Sequence, residues 1–143
     1  MSFKLDARLE SDTHWMGDLH LSRVLLMNDR RYPWIILVPM LEGLKELTDL
    51  SEEQSVTLLQ ESRAVSQWLV EKGGDKLNVG ALGNVVSQLH LHHVMRTVND
   101  PAWPGPVWGH SPAEPYAEEQ VKALQESLKS ALKLDTNLVN PRL

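Results

Sequence analysis

The chain has no cysteine among its 143 residues. That excludes a disulfide framework and thiolate chemistry, and it fits a reducing compartment. Positive charge is also short: 14 Lys and Arg stand against 19 Asp and Glu, a net −5. Wrapping nucleic acid through its phosphates needs a basic surface, so that class is disfavoured. No long apolar run is present. Trp34 to Leu41, the longest in the N-terminal half, falls far short of the roughly 20 residues that span a bilayer. Met1 to Asp6 holds no signal-peptide core. With 42% hydrophobic residues the chain still supplies one core. A single cytoplasmic domain over 1–143, without a membrane partner, is expected.

What is present divides into short strands and two main helices. Leu5, Ala7 and Leu9 alternate with Asp6, Arg8 and Glu10, a weak strand signal. Ser11 to Gly17 reads as a turn or short helix. Val24 to Met27 is a strand stopped by Asn28-Asp29-Arg30-Arg31, and Trp34 to Val38 is a second one closed by Pro39. A short polar link between them predicts an antiparallel hairpin. Ser51-Glu52-Glu53-Gln54 has the form of a capping box and opens a helix that runs to Lys72, before Gly73-Gly74. Lys76 to Val79 and Ser87 to Arg96 read as strands.

Residues 99–115 hold five prolines, two tryptophans and two glycines, so packing rather than repeating backbone structure must order them. A C-terminal helix over about 115–134 presents Val121, Leu124, Leu128 and Leu132 on one stripe. Asp135 onward reads as a loose tail. Most consecutive strands lie too close for parallel crossovers, so the fold class is α+β with an antiparallel meander.

The chemistry concentrates in Gln88-Leu89-His90-Leu91-His92-His93-Val94. On a strand, Gln88, His90 and His92 line one face while Leu89, Leu91 and His93 line the other. Imidazole serves near neutral pH as nucleophile, base or ligand.

This run resembles the signature of the histidine-triad (HIT) superfamily of nucleotide hydrolases and transferases, His-φ-His-φ-His-φ-φ with φ apolar. The resemblance extends upstream through Asn78-Val79-Gly80 and Gly83-Asn84-Val85-Val86, the Leu37-Val38-Pro39 strand end and Asp49-Leu50-Ser51. It spans a core of about 23–96. The resemblance implies that His90, the middle position, attacks an α-phosphate and forms a covalent nucleotidyl-histidine that water or a second phosphate resolves. His92, at the third position, then bonds phosphate oxygens or the bridging oxygen of the leaving group, and Gly83, Asn84 and Val85 form the phosphate cradle. Asn78 matches an amide residue near the phosphate. Asn28 stands where an acidic residue usually holds the ribose, Val85 where a hydroxyl residue is usual, and Gln88 at the first histidine. The implied partners are a nucleotide or nucleotide conjugate and a second copy of the chain, with no cofactor and no metal. A non-catalytic nucleotide-binding protein that keeps the fold is the alternative.

Other residues take plainer readings. His93, on the opposite strand face, is read as structural, and His14, His20 and His110 as surface or packing residues. Two histidines fall short of the three or four ligands zinc takes. Trp103 and Trp108 could stack on a base or join a subunit interface, and are read as packing residues. A hairpin turn accounts for Arg30 and Arg31, which leaves Arg96 as the better phosphate candidate.

Overall fold

The structure, a computed structural model, describes residues 2–137. One five-stranded antiparallel sheet runs in the order β1-β2-β3-β5-β4. Its strands are β1 (Thr13–Asp18), β2 (Ser22–Met27), β3 (Trp34–Pro39), β4 (Lys76–Gly80) and β5 (Leu91–Arg96), and its helices are α1 (Ala7–Asp12), α2 (Glu52–Glu71) and α3 (Glu118–Leu132). The expected α+β class, the antiparallel sheet and the β2–β3 hairpin are present, but the meander holds only over β1-β2-β3, since β5 inserts between β3 and β4. No helix among the described residues is long and apolar enough to cross a membrane.

β2 and β3 read as continuous apolar runs because both faces of the sheet are covered. On one face Val24, Leu26, Ile35 and Leu37 pack with Leu58, Val65 and Leu69 of α2 and Leu128 of α3. On the other, Leu25, Trp34, Ile36 and Val94 pack with Leu5, Leu9, Ala102 and Val107. The N-terminal segment and the Pro/Trp segment are therefore the second layer. Each fully buried side chain of this size contributes about 1.5–3 kcal/mol, so neither segment is a mere appendage. The α2 cap forms as read: Ser51 Oγ accepts from the Gln54 amide at 3.1 Å, and Gln54 Oε1 accepts from the Ser51 amide at 2.9 Å.

Four local readings are corrected. Leu5 to Glu10 is not a strand; Asp6 caps α1 by accepting from the Arg8 amide, and Leu5 and Leu9, four apart, are the buried pair. Ser11 to Gly17 is not one turn or short helix: Ser11 and Asp12 end α1, and Thr13–Asp18 forms the edge strand β1. The histidine strand starts at Leu91 rather than Ser87, because the Leu89 amide bonds to the Leu44 carbonyl instead of entering the ladder. Asp135 is no loose end: it exchanges backbone hydrogen bonds with Asp18, each 2.9 Å. Residues 138–143 of the expected tail lie outside the described residues.

Candidate active site

His90 precedes β5 by one residue, and His92 sits within it opposite Ile36 of β3 and Gly80 of β4. Their rings meet edge to face with centroids 4.8 Å apart. Hydrogen bonding fixes what each ring offers. Nδ1 of His90 lies 2.7 Å from the Gln88 carbonyl oxygen. A carbonyl only accepts, so Nδ1 carries the proton and the neutral ring leaves the lone pair on Nε2. His92 is the reverse case. Its Nδ1 accepts from the Trp34 indole N–H at 3.0 Å, which places the proton of the neutral ring on Nε2. Burial, with His90 and His93 adding to it, pushes the His92 pKa down to about 3. One ring thus presents a lone pair and its neighbour an N–H.

Two clefts flank this pair. One, of about 320 Å³, is lined by His90, Gln88, Ser87, Asn84, Gly83 and Lys45 among others. Gly83 turns the chain here at φ +70°, a left-handed conformation that favours glycine. The other, of about 490 Å³, is lined by Asn28, Asp29, Trp34, Trp108 and Ser111 among others. Trp34 and Trp108 form its aromatic wall and also pack on His92, with ring centroids 5.8 and 5.3 Å away.

The model of the HIT domain family matches residues 8–99. The chain belongs to the HIT family. Similar solved structures agree along nearly the whole length. A histidine triad protein from Marinobacter aquaeolei is 51% identical over 93% of this chain and 98% of its own, with a TM-score of 0.90. One from Sinorhizobium meliloti is 44% identical over 91% and 97%, with a TM-score of 0.88. One from Bradyrhizobium japonicum is 41% identical over 92% and 99%, with a TM-score of 0.89. No curated protein matches.

The remaining residues singled out from the HIT pattern fall unequally around the histidines. Gln88 lines the His90 cleft, but both polar atoms of its side chain are engaged elsewhere. Oε1 accepts from the Asp6 amide and Nε2 donates to the Lys4 carbonyl, each at 2.8 Å. Gln88 therefore clamps the N-terminal segment, and only its backbone carbonyl touches His90. The clamp brings Arg8 Nη1 to 3.0 Å from the Val85 carbonyl. Arg8 also grips Asp6 and holds that carboxyl below the usual range. The Val85 side chain is turned out, the residue being 77% exposed.

Asn78 shares a sheet face with His92, yet its Oδ1 accepts from Arg96 at 3.0 Å, which leaves its amide N–H groups. Asn28 Oδ1 accepts from the Tyr116 amide at 3.0 Å while the residue lines the larger cleft. The reading of Arg96 as a phosphate ligand is corrected. Arg96 is buried and its guanidinium forks Asp100 at 2.7 and 2.9 Å. His93 is structural, as expected: fully buried, it lies 2.7 Å from Ser62 Oγ and 3.2 Å from the Ile35 carbonyl.

Sequence reasoning misses Trp34 as a partner of the site, and for Trp108 it favours packing over stacking on a base. A usable signal existed for Trp34. Pairing it across the hairpin and on to Val94 puts its side chain on the His92 face. Nothing local places Trp108, which arrives on a loop.

Proposed function

We propose that the protein is a nucleotide phosphohydrolase or nucleotidyl transferase that acts at an α-phosphate through a covalent adduct on His90. The observation that carries this reading is the tautomer pair. Nε2 of His90 holds a free lone pair because the Gln88 carbonyl takes its Nδ1–H, and Nε2–H of the adjacent His92 is a donor. A neutral ring with a free lone pair is what attack on phosphorus requires. A fixed donor beside it stabilises the charge that builds on the phosphate oxygens.

In this reading the phosphates lie along the cleft of Gly83, Asn84 and His90, and the nucleoside enters the larger cleft of Asn28, Trp34 and Trp108. The indole N–H of Trp108, buried and without a hydrogen-bond partner among the described residues, is an unspent donor there. Asn78 contributes its amide N–H groups at the rim. Substrates of this kind, a dinucleoside polyphosphate, a phosphoramidate or an adenylated small molecule, suit a cytoplasmic protein. A homodimer fits the exposed apolar side chains of α2.

Intact mass after a brief quench with such a substrate tests the proposal. The expected result is a gain of one nucleoside monophosphate, absent in His90→Ala. Unchanged turnover in His90→Ala sinks it. The second reading, nucleotide binding without turnover, is favoured by the Gln88 side chain being spent on the N-terminal segment. Calorimetry with AMP or GMP, giving binding but no adduct, supports that alternative.

A further inference from the structure

We propose that Trp34 is a positioning residue that holds His92 as a neutral Nε2–H donor. The site in consequence cleaves phosphoanhydride-type nucleotides, whose leaving group departs as an anion, and not phosphoramidates of basic amines. The inference rests on the nucleotidyl-transfer reading above and narrows its substrate class.

The argument begins with Nδ1 of His92. The Trp34 indole occupies it at 3.0 Å, and an indole N–H has no lone pair with which to accept a proton in return. The rings of His90, Trp34 and Trp108 close around His92 at 4.8, 5.8 and 5.3 Å. The residue is 4% exposed. The titratable groups that act on it are His90 and His93, both of which oppose a positive charge. Its cross-strand neighbours Ile36 and Gly80 carry none. A neutral imidazole N–H gives a hydrogen bond but does not surrender its proton at working pH.

Of the other groups near His90, neither Gln88 nor Asp6 replaces that missing acid. Gln88 has no proton to give, and both ends of its side chain are engaged. Asp6 is kept anionic by Arg8. Lys45 and Glu46 line the same cleft from the segment that leads to α2. A leaving-group comparison reports on them directly, because an acid there lets amidates through.

In the first step the Nε2 lone pair of His90 forms an N–P bond. The bond from phosphorus to the leaving group breaks, and its electron pair stays on the departing atom. The proton stays on Nδ1, still donated in the hydrogen bond to the Gln88 carbonyl, and the ring carries the positive charge. A departing phosphate oxygen holds that pair unaided, since the conjugate acid has a pKa of about 6. A departing alkylamine does not: breaking P–N without a proton leaves an amide anion. In the second step a water oxygen bonds phosphorus, the N–P pair returns to Nε2 and solvent takes the water's proton.

The experiment compares kcat/KM and His90 adduct formation for diadenosine tetraphosphate and for an AMP phosphoramidate of an alkylamine. The anhydride is expected to lead by about 10²–10⁴-fold, the usual worth of a general acid. In parallel, ¹⁵N NMR of the wild-type protein is expected to show His92 with Nε2 protonated and Nδ1 hydrogen-bonded from pH 8 to 5. Trp34→Phe frees Nδ1, mixes the tautomers and narrows the substrate ratio. Comparable turnover of the amidate through a His90 adduct overturns the proposal and leaves the nucleotidyl-transfer reading standing. A His92 proton on Nδ1 in the wild type overturns it without any reference to turnover. Absence of adduct and release with both substrates overturns the parent reading and this one with it.

Discussion

The backbone carbonyl of Gln88 lies 2.7 Å from Nδ1 of His90, while the Gln88 side chain reaches away to Lys4 and Asp6. Backbone and side chain of one residue thus do separate work. The contact that sets the His90 tautomer belongs to the main chain, which any residue supplies. An amide at this position consequently costs the nucleophile nothing in proton placement.

Gln88→Ala is therefore expected to keep the His90 adduct and to lower kcat by less than about tenfold. It removes two hydrogen bonds to the N-terminal segment, together worth about 1–3 kcal/mol. Hydrogen exchange at the Asp6 amide should accelerate while core amides of β3 stay protected. Loss of the adduct in this variant would show that the Gln88 side chain takes part in the chemistry.

His93 gives a pH dependence of stability. Burial pushes its pKa down from 6.5 to about 4, and His92 behaves likewise at about 3. Below pH 6.5 the unfolded chain binds protons at these rings that the folded chain refuses. Stability is therefore complete above about pH 6.5 and falls as pH drops through the window toward 4 and 3. His93 alone accounts for about 3 kcal/mol of that loss. Urea midpoints should hold level from pH 7.5 to about 6.5 and decline from there to pH 4.5. A flat profile, or one rising toward acid, contradicts the assignment.

What was legible in the chain follows from how local each cause is. β2, β3 and α2 were readable because a doubly covered sheet demands unbroken apolar runs and a capping box is four adjacent residues. The segment Leu5 to Leu9 fits strand alternation and a helical i, i+4 pair equally well. The Asp6 cap and the exposure of Ala7 settle it as α1. The spacing of His90 and His92 was visible, but their tautomers were not. Those depend on Trp34, 58 positions from His92, and on a main-chain carbonyl just outside β5. Trp108 was illegible for a stronger reason: it sits on a loop anchored by Arg96–Asp100 at one end and by Arg31–Ser111 at the other.

The first anchor is itself testable. Arg96 and Asp100 are 2% and 5% exposed at their side chains, and Asp100 also accepts from the Thr97 and Trp103 amides. Arg96→Met leaves a buried carboxylate without its counter-charge, which costs about 3–5 kcal/mol. Urea unfolding should report that loss, and tryptophan fluorescence should shift as Trp108 leaves His92. Replacing both partners by apolar residues of similar volume should restore part of the stability, because no lone charge then remains buried. If Arg96→Met alone is as stable as wild type, the loop has some other anchor.

The last prediction concerns the edge of the sheet. Among the described residues β4 pairs only with β5, so one side of Lys76–Gly80 presents backbone groups that no described strand pairs. Val79 lies opposite His93, on the face that α2 covers, and is 47% exposed. Val56 and Leu59, a turn apart on α2, are 57% and 71% exposed. We expect a second copy to cover this apolar helix stripe and strand edge across a two-fold axis, because a self-complementary interface buries both at once. Sedimentation is expected to give twice the 16.2 kDa chain mass. Because a two-fold interface uses each residue twice, Leu59→Glu removes two buried leucines at about 1.5–3 kcal/mol each. The dimer constant should weaken by roughly 10²–10⁴-fold, enough to yield monomer at micromolar concentration. A wild-type protein that sediments as monomer at that concentration, or a Leu59→Glu variant that dimerises as tightly, refutes this assembly.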